Sequence, residues 1–158
     1  MIAFKNVLVA TDFSEASDAA LAYGRALARS LGAALHVVHV VGNLNHLAFG
    51  AKDSVEDASP LPAIQQDLEI AARKQLNDLL AAPENNDERP MPVGRVLKSL
   101  ISSNAPARAI VEYAGQEHID LIVTGTHGRG AVAHLLLGSV AERVVRLAPC
   151  PVLTVRHV

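Results

Sequence analysis

Glycines and a serine are grouped near the C-terminal end, in the stretch VTGTHGRGAVAHLLLGSVAERV at 123–144. Two residues separate Gly125 from Gly128, nine separate Gly128 from Gly138, and Ser139 follows directly. Glycine inside a helix costs roughly 1 kcal/mol relative to alanine, so this set indicates a turn or a close approach to the backbone. The N–H groups of such a turn and of a following helix N-terminus can bind an anion such as phosphate. The alternative is a tight turn and a helix cap with nothing bound.

The elements that would position this stretch follow from the alternation of short apolar runs with longer segments of helical period. This alternation is typical of βαβ units on a parallel sheet. The predicted strands are NVLVAT, ALHVVHVV, PVGRVLKSL, IDLIVTG and PVLTVRHV, and the predicted helices cover about 15–31, 61–81, 106–117 and 140–147. Ser14 and Gly32 are the expected start and stop of the first helix, and Pro106 suits the first turn of the third.

The start of the fourth helix matters most for an anion site. Ser139 and Glu142 have capping-box spacing, so Ser139 is predicted to be the N-cap and the helix to begin near Val140. The connection at 42–62 contains Gly, Asn, Asp, Ser and Pro without clear periodicity, and we expect it to form a flap that could cover a ligand.

Five strands and four helices predict an α/β fold: one open, doubly wound parallel sheet of order 3-2-1-4-5, forming a single domain over 1–158. In this order strands 2 and 3 lie on one side of strand 1, and strands 4 and 5 lie on its other side. Ligands bind where the two halves of such a sheet meet, at the carboxyl ends of strands 1 and 4. Thr11 and Asp12 follow strand 1, and 125–130 follows strand 4. The glycine stretch therefore lies where this architecture binds ligands.

The composition argues against a nucleic-acid-binding protein and against a membrane-spanning one. The chain has 158 residues, of which 50% are hydrophobic but only 3% are aromatic, and its formal net charge is −2. It therefore lacks both the basic stripe and the stacking surface that nucleic acid requires, and no apolar run is long enough for a membrane span. We expect a cytoplasmic protein without a nucleic-acid or membrane partner. Cys150 excludes an intrachain disulfide because it is the one cysteine, and it is expected to be a buried, inert thiol.

Metal and catalytic sites find little support in the sequence. His36 and His39 are three residues apart on a predicted strand, so they face opposite sides of the sheet and cannot chelate one metal. The chain has no G-x-x-x-x-G-K-[ST] element and no evident nucleophilic triad. No catalytic residue and no protein-held metal are therefore predicted.

The spacing Gly-x2-Gly-x9-Gly-Ser at 125–139, followed by VAERVVRLAPCPVLTV, is similar to the nucleotide-binding signature of the universal stress protein family. The resemblance extends over the whole chain, since NVLVATDFSE and LHVVHVV match the family's first two strands. The stretch VLKSLISSNAPARAI departs from the family pattern, which has a shorter Gly-x-Pro turn at this place.

The resemblance implies the ATP-binding branch of the family, with ATP, ADP or AMP as ligand and Mg²⁺ or Mn²⁺ arriving on the phosphates. It implies that Asp12 lies at the nucleoside with Thr11 beside it, and that Val40 contacts the adenine. The residues that would surround the ribose and phosphates are Gly125, Thr126, His127, Gly128, Gly138, Ser139 and Val140. Arg129 is the nearest cation in the sequence, and both a phosphate contact and a solvated loop position remain open for it.

The function that follows is a stress-response regulator in which ATP is the ligand of a switch. The alternative is a slow Mg²⁺-dependent ATPase or nucleotide transferase that uses the same crevice, for which His127 is the one candidate base. A third alternative is a scaffold that dimerises and binds no ligand. The C-terminal strand lacks a lysine or internal proline to block edge pairing, and the family forms dimers, so we expect a homodimer through this strand. The protein partner of the regulator is not indicated.

Overall fold

In the part of the chain that the structure describes, strands and helices alternate to form an open parallel sheet with helices on both faces. The computed structural model describes residues 3–45, 60–81, 96–126 and 137–156. The strands are β1 (Asn6–Thr11), β2 (Ala34–Val41), β3 (Val96–Ser102), β4 (Leu121–Gly125) and β5 (Val152–Val155), and the helices are α1 (Glu15–Leu31), α2 (Leu61–Ala81), α3 (Pro106–Gln116) and α4 (Ser139–Leu147). All neighbouring strands pair in parallel, in the order β3-β2-β1-β4-β5. The predicted α/β class and strand order are confirmed.

Two hydrophobic cores lie on the two faces of the sheet, as the alternation of side chains along a strand requires. On β1, Val7 and Val9 pack with α1 and α2, whereas Leu8 packs on the opposite face with α3 and α4. All three side chains are completely buried. β1 is therefore covered on both faces and lies between β2 and β4, which makes it the fixed centre of the fold.

The first helix has the ends that the sequence predicts. The Ser14 hydroxyl accepts a hydrogen bond from the Ser17 amide, and the Ser17 hydroxyl accepts one from the Ser14 amide, which forms a capping box. Gly32 ends the helix in the left-handed conformation, with φ of 63°, where glycine has no Cβ penalty. Pro106 is the first residue of α3, also as predicted.

The predicted start of α4 is wrong by one residue. The N-cap is Gly138, in extended conformation, and Ser139 is already helical and makes no side-chain capping bond. The backbone accounts for the difference, because the Glu142 amide donates to the Gly138 carbonyl oxygen at 2.9 Å and closes the first helical turn there. Glu142 lies near Arg146 instead, at 3.8 Å, so the predicted capping box does not form.

Three strands have bounds that differ from the sequence pattern. β5, predicted from PVLTVRHV, is Val152–Val155, with Pro151 and Arg156 outside the strand. β3 runs through Ser102, past the end predicted from PVGRVLKSL, and 92–95 lie outside the described residues. β4 begins at Leu121, after Asp120 has left the apolar run to accept hydrogen bonds from the amides of Lys5 and Asn6 at 2.7 and 2.9 Å. Asp120 thereby joins the entrance of β4 to the entrance of β1.

Gly125 at the end of β4 allows α1 to pack closely. A Cβ atom at this position would lie 2.8 Å from the backbone oxygen of Ala16 and 2.9 Å from its carbonyl carbon. Backbone atoms cannot move aside as a flexible side chain can, so any larger residue would push the first turn of α1 away from the sheet. The first glycine of the signature therefore has a structural reason that is independent of a ligand.

Candidate functional site

A crevice begins where β1 and β4 stop pairing. The last paired residues of the two strands are Val9 and Val123, whereas β1 continues to Thr11 and β4 to Gly125. From β1 the chain passes through α1 to β2 on one side, and from β4 it passes through α4 to β5 on the other side. This divergence is the point at which doubly wound sheets bind ligands.

The turn after β1 holds Asp12 in place at this crevice. One carboxylate oxygen, Oδ1, accepts hydrogen bonds from the Ser14 amide at 3.1 Å and from the Ser14 hydroxyl at 2.5 Å. The side chain is half-buried. Asp12 therefore has the turn role that its residue type suggests, and it stands at the crevice edge, where a nucleoside contact is predicted.

Thr11 stabilises this turn through the hydrogen bonds of its hydroxyl group. Its side chain is buried, and the hydroxyl accepts a hydrogen bond from the Phe13 amide at 3.1 Å. The Ser17 hydroxyl gives its single proton to the Ser14 carbonyl oxygen at 2.9 Å, so Thr11 is the donor in the 3.1 Å contact between the Thr11 and Ser17 hydroxyls. The Thr11 hydroxyl thus both donates and accepts within the protein. A ligand contact by Thr11 stays a prediction.

Phe13, directly after Asp12, has a left-handed backbone with φ of 62°. A bulky residue rarely adopts this conformation, and the surrounding structure must hold it there. The ring of Phe13 lies against the ring of His39 on β2, with centroids 4.3 Å apart. His39 Nδ1 in turn lies 2.8 Å from the Thr11 carbonyl oxygen. Because that oxygen can only accept, Nδ1 carries the proton.

This contact was not identified from the sequence, in which His39 was considered only as a metal ligand together with His36. The prediction that His36 and His39 face opposite sides of the sheet is confirmed, since His36 bonds to Tyr113 of α3 and His39 lies at the Asp12 turn. The signal that could have indicated the contact is the position of His39 at the end of β2, beside the end of β1.

The exit of β2 forms a second wall of the crevice. The Val41 carbonyl oxygen accepts from the Ser103 amide at 2.9 Å and so points toward β3. Because successive carbonyl groups of a strand point to opposite sides, the Val40 carbonyl points toward β1. The last β1–β2 pair is Thr11 with His39, so Val40 stands just past the end of β1. Its backbone is therefore directed to the place where an adenine contact is predicted.

Side chains fix the chain that leaves β2. Asn104 accepts from the Asn43 amide and donates to the Asn43 carbonyl oxygen, each at 2.8 Å. Gln65 of α2 is buried, and its Oε1 accepts from the Leu44 amide at 2.7 Å while its Nε2 donates to the hydroxyl of Ser102. Neither Asn104 nor Gln65 was identified from the sequence, because isolated polar residues carry no periodic signal. Of the predicted 42–62 flap, 46–59 lie outside the described residues.

Backbone hydrogen bonds join the two ends of the glycine signature to each other and to β5. The Thr126 amide donates to the Val155 carbonyl oxygen at 2.9 Å, and the Gly138 amide donates to the Thr126 carbonyl oxygen at 2.6 Å. The two ends of the signature are therefore in direct contact. The predicted site residues His127, Gly128 and Arg129 lie outside the described residues.

The first turn of α4 presents the groups expected of an anion site. Gly138, Ser139 and Val140 come together here, and the Ser139 side chain is exposed. The first amides of a helix lack partners within the helix, and with the helix dipole they attract negative charge. The structure thus brings Asp12 and Thr11 to one side of the crevice and Gly125, Thr126 and Gly138 to the other.

Other titratable groups lie away from the crevice. His36 is buried with its Nδ1 3.0 Å from the Tyr113 hydroxyl, and burial lowers the pKa of His36, while the charge of Glu117 acts weakly in the opposite direction. Burial and Glu117 both raise the pKa of Tyr113. Cys150 is half-buried, and burial raises the pKa of its thiol, which disfavours the reactive thiolate.

The described residues offer neither a cluster of metal ligands nor a membrane-spanning helix. Within 3–45, 60–81, 96–126 and 137–156, no group of three or more His, Cys, Asp or Glu side chains could hold a metal ion. Over the same ranges, each helix is either too short or too polar to cross a bilayer.

Known proteins resemble this chain in sequence and in fold. Residues 3–156 match the model of the universal stress protein family. A universal stress protein from Thermus aquaticus, located in the 3' region of a QAH/OAS sulfhydrylase gene, is 36% identical, over 97% of this chain and 99% of its own. The solved structure of MJ0577, a universal stress protein of Methanocaldococcus jannaschii, superposes with a TM-score of 0.78 at 25% identity, covering 99% of both chains.

A second solved structure is a universal stress protein in complex with cAMP. It has a TM-score of 0.56 and 25% identity, and the match covers 98% of each chain. Sequence, fold and strand order therefore agree over nearly the whole length. The chain belongs to the universal stress protein family.

Proposed function

We propose that this protein is a stress-response regulator that binds ATP, or the related ADP and AMP, in the crevice between β1 and β4. The observation that carries the proposal is the separation of these strands after Val9 and Val123, with the Asp12 turn on one side and the bonded pair Thr126 and Gly138 on the other. One side offers a carboxylate, and the other offers the first amides of a helix. A nucleotide has complementary groups, since its ribose hydroxyls donate hydrogen bonds and its phosphates are anions.

The nucleoside half of the ligand would be held by Asp12 and Val40. The Asp12 carboxylate accepts hydrogen bonds, which suits ribose or adenine donors, and the backbone of Val40 would contact the adenine edge. Thr11 would act beside them by holding the turn. A backbone carbonyl such as that of Val40 can accept a hydrogen bond from the 6-amino group of adenine but not from the 6-oxo group of guanine, so we expect ATP to bind more tightly than GTP.

The phosphate half would be held by the glycine signature. Ser139 and Val140 at the start of α4 supply amides, whereas Gly138 gives its own amide to Thr126 and leaves room for the phosphates beside the backbone. His127, Gly128 and Arg129 are proposed to complete the phosphate contacts, with Gly125 at the strand end. A Mg²⁺ or Mn²⁺ ion fits this site as a companion of the phosphates, because the exposed Ser139 hydroxyl is a suitable oxygen ligand for a hard cation.

The relative solved with cAMP supports an adenine nucleotide as the ligand class. Its match extends over 98% of this chain, so the crevice lies inside the shared part of the fold. The proposal of a triphosphate rests on the length of the glycine signature and on the α4 N-terminus.

We prefer a regulatory role to fast catalysis because the groups proposed to hold the phosphates are mainly backbone amides. Backbone amides hold the ground state and the transition state of phosphoryl transfer about equally, and such uniform binding does not raise kcat. Fast transfer also needs an in-line nucleophile and fixed cations. We therefore propose turnover far below the median enzyme rate of ~10 per second. The alternative is a slow Mg²⁺-dependent ATPase or nucleotide transferase in which His127 is the base.

Phosphate release with Mg²⁺ or Mn²⁺ decides between the two. The wild type is compared with His127→Ala and Asp12→Ala on protein freed of contaminating ATPases. Several turnovers per second that disappear in His127→Ala, while ATP still binds, would establish the enzyme.

Nucleotide binding itself is tested on the purified protein. Mass spectrometry of denatured protein should release ATP, ADP or AMP, and ATP added to nucleotide-free protein should raise Tm. At 100 times Kd a ligand adds roughly 2.7 kcal/mol, or about 5 to 10 °C for a domain of this size. A melting curve that millimolar ATP does not move, on protein that carries no nucleotide, would refute the proposal.

Assembly and location complete the proposal. β5 is an edge strand with Leu153 37% exposed, so a second copy could pair with it in antiparallel fashion around a two-fold axis. We propose a cytoplasmic homodimer in which nucleotide occupancy changes contacts with a protein partner. No nucleic acid or membrane partner is proposed.

A further inference from the structure

Phe13 and His39 form a contact that the nucleotide-binding residues do not explain. Phe13 is held at φ of 62°, one of two non-glycine positions with positive φ among the described residues. The other, His118, lies between α3 and β4, at the opposite end of the sheet. The strained position at the carboxyl end is thus directly adjacent to Asp12.

Two contacts of a single side chain hold this strain in place. The His39 ring lies against the Phe13 ring, with centroids 4.3 Å apart and an angle of 35° between the planes. The same ring donates from Nδ1 to the Thr11 carbonyl oxygen at 2.8 Å. His39 therefore contacts the residues immediately before and after Asp12, and does so from a different strand.

The backbone of the turn explains why this matters for Asp12. With Phe13 in the left-handed conformation, the Ser14 amide and hydroxyl both reach Asp12 Oδ1. If Phe13 relaxed to the right-handed or extended region, the chain would leave the turn in another direction, and Ser14 could not remain both the partner of Asp12 and the N-cap of α1.

We propose that His39 is a positioning residue for nucleotide binding, which holds the Phe13 backbone in the left-handed conformation and so presents the Asp12 carboxylate to the nucleoside. This inference rests on the proposed ATP site and adds a residue outside it. The bond to Thr11 requires a proton on Nδ1, because the Thr11 carbonyl oxygen can only accept.

ATP titration of three His39 variants separates the two contacts. His39→Leu removes both, His39→Phe keeps a ring against Phe13 without a donor, and His39→Asn keeps a donor for Thr11 without the ring. We expect His39→Leu to weaken ATP binding about tenfold, which corresponds to about 1.4 kcal/mol, and each of the other two to weaken it less. An ATP Kd for His39→Leu within about twofold of the wild type would overturn the proposal.

Rescue by glycine tests the mechanism. Glycine adopts positive φ without a Cβ penalty, so Phe13→Gly should recover most of the affinity when added to His39→Leu. A double variant that binds ATP no better than His39→Leu would mean that His39 acts by another route, and would also overturn the proposal. His36→Gln is the matched control, because it alters a bonded histidine of the same strand on the other face, and its ATP Kd should stay at the wild-type value.

A measurement without nucleotide keeps this inference separate from the proposed function. The chain has three phenylalanines, so ¹⁵N-phenylalanine labelling gives few amide signals, and the coupling between H–N and Hα of Phe13, taken together with the distance between these two hydrogens, distinguishes positive from negative φ. We expect the coupling to change in His39→Leu and to stay in His36→Gln. An unchanged coupling in His39→Leu refutes the proposal that His39 holds the Phe13 backbone in the left-handed conformation. If the coupling changes but the wild type does not bind ATP, the role of His39 in nucleotide binding is refuted together with the proposed function.

Discussion

The Gly138 amide donates a 2.6 Å hydrogen bond to the Thr126 carbonyl oxygen, so the residue after β4 is bonded to the N-cap of α4. Thr126 is also bonded through its amide to Val155 of β5. The base of the glycine signature is therefore part of the folded sheet. It follows that substitutions at the α4 N-terminus can be designed to affect a ligand and the fold in different ways.

Gly138→Ser is expected to separate the two roles of this glycine. Gly138 has φ of −70° and ψ of 157°, a conformation open to any residue, and serine is a better N-cap than glycine by a few tenths of a kcal/mol. The free energy of unfolding should stay the same or rise slightly, whereas ATP affinity should fall because the new side chain meets the phosphates. Chemical denaturation and calorimetric titration measure both. Unchanged ATP affinity would indicate that Gly138 serves the fold alone.

Ser139→Ala should have little effect on stability. The Ser139 side chain is exposed and makes no capping bond, so we expect a change within about 0.5 kcal/mol in the free energy of unfolding. ATP affinity measured with Mg²⁺ should nevertheless fall if the hydroxyl contacts the phosphates or their metal. A loss of about 1 kcal/mol in stability would instead show that Ser139 caps α4 in solution.

Gly125→Ala should destabilise the protein by about 1 to 3 kcal/mol, because its Cβ would lie 2.8 Å from the Ala16 backbone oxygen. Urea unfolding gives the value. Gly115→Ala is the matched control, since nothing lies within 4 Å of a Cβ there and alanine is favoured within α3. It should stabilise the fold by up to about 1 kcal/mol. Equal effects of the two substitutions would contradict the packing of Gly125 on α1.

Stability should fall as the pH falls below about 6.5, the ordinary pKa of histidine. Burial lowers the pKa of His36 in the folded protein, so in the window just below this value the unfolded chain binds more protons, and acidification favours it. The contribution is at most about 1.4 kcal/mol per pH unit. Urea unfolding at about pH 7.5 and about pH 5.5 measures it. His36→Gln should give a flatter profile, and an equal slope in both proteins would exclude His36 as the cause.

Leu153→Arg should convert the proposed homodimer to a monomer. Leu153 is 37% exposed on the edge strand β5, and an arginine at an antiparallel two-fold contact would face a second arginine. Sedimentation velocity reports the change. Ile70→Arg is the control, because Ile70 is 59% exposed on α2, which packs against β2 and β3. A dimer that persists in Leu153→Arg would place the interface elsewhere.

The strand order could be predicted because β1, β2 and β4 are short, apolar and buried, and each is followed by a segment of helical period. β3 was harder, since it is an edge strand in which Val96 and Leu97 are exposed, so its pattern does not mark its ends. The start of α4 was missed because a bond between residues twelve apart in sequence, Thr126 and Gly138, precedes it, and local capping preferences do not include such a bond.

The site could be predicted only as far as the residues that follow β1 and β4. Strand order brings Asp12 and Thr126 to one edge, and that information is contained in the alternation of elements. The contact between Phe13 and His39 depends on the register of β1 against β2, in which Thr11 lies beside His39. Register is a property of two strands together, so neither residue indicates the contact by itself.

The bonds of Asp120 to the start of β1 have a consequence for the order of folding. Asp120 and Asn6 are 114 residues apart in sequence, whereas the contact between β1 and β2 at Thr11 and His39 spans 28. Two doublings of loop length add about 1.2 kcal/mol of closure entropy, so β1 should join β2 before it joins β4. The crevice has one wall in each half of the sheet. A nascent chain would therefore complete its nucleotide site late in folding. Added nucleotide should accordingly lower the unfolding rate more than it raises the folding rate.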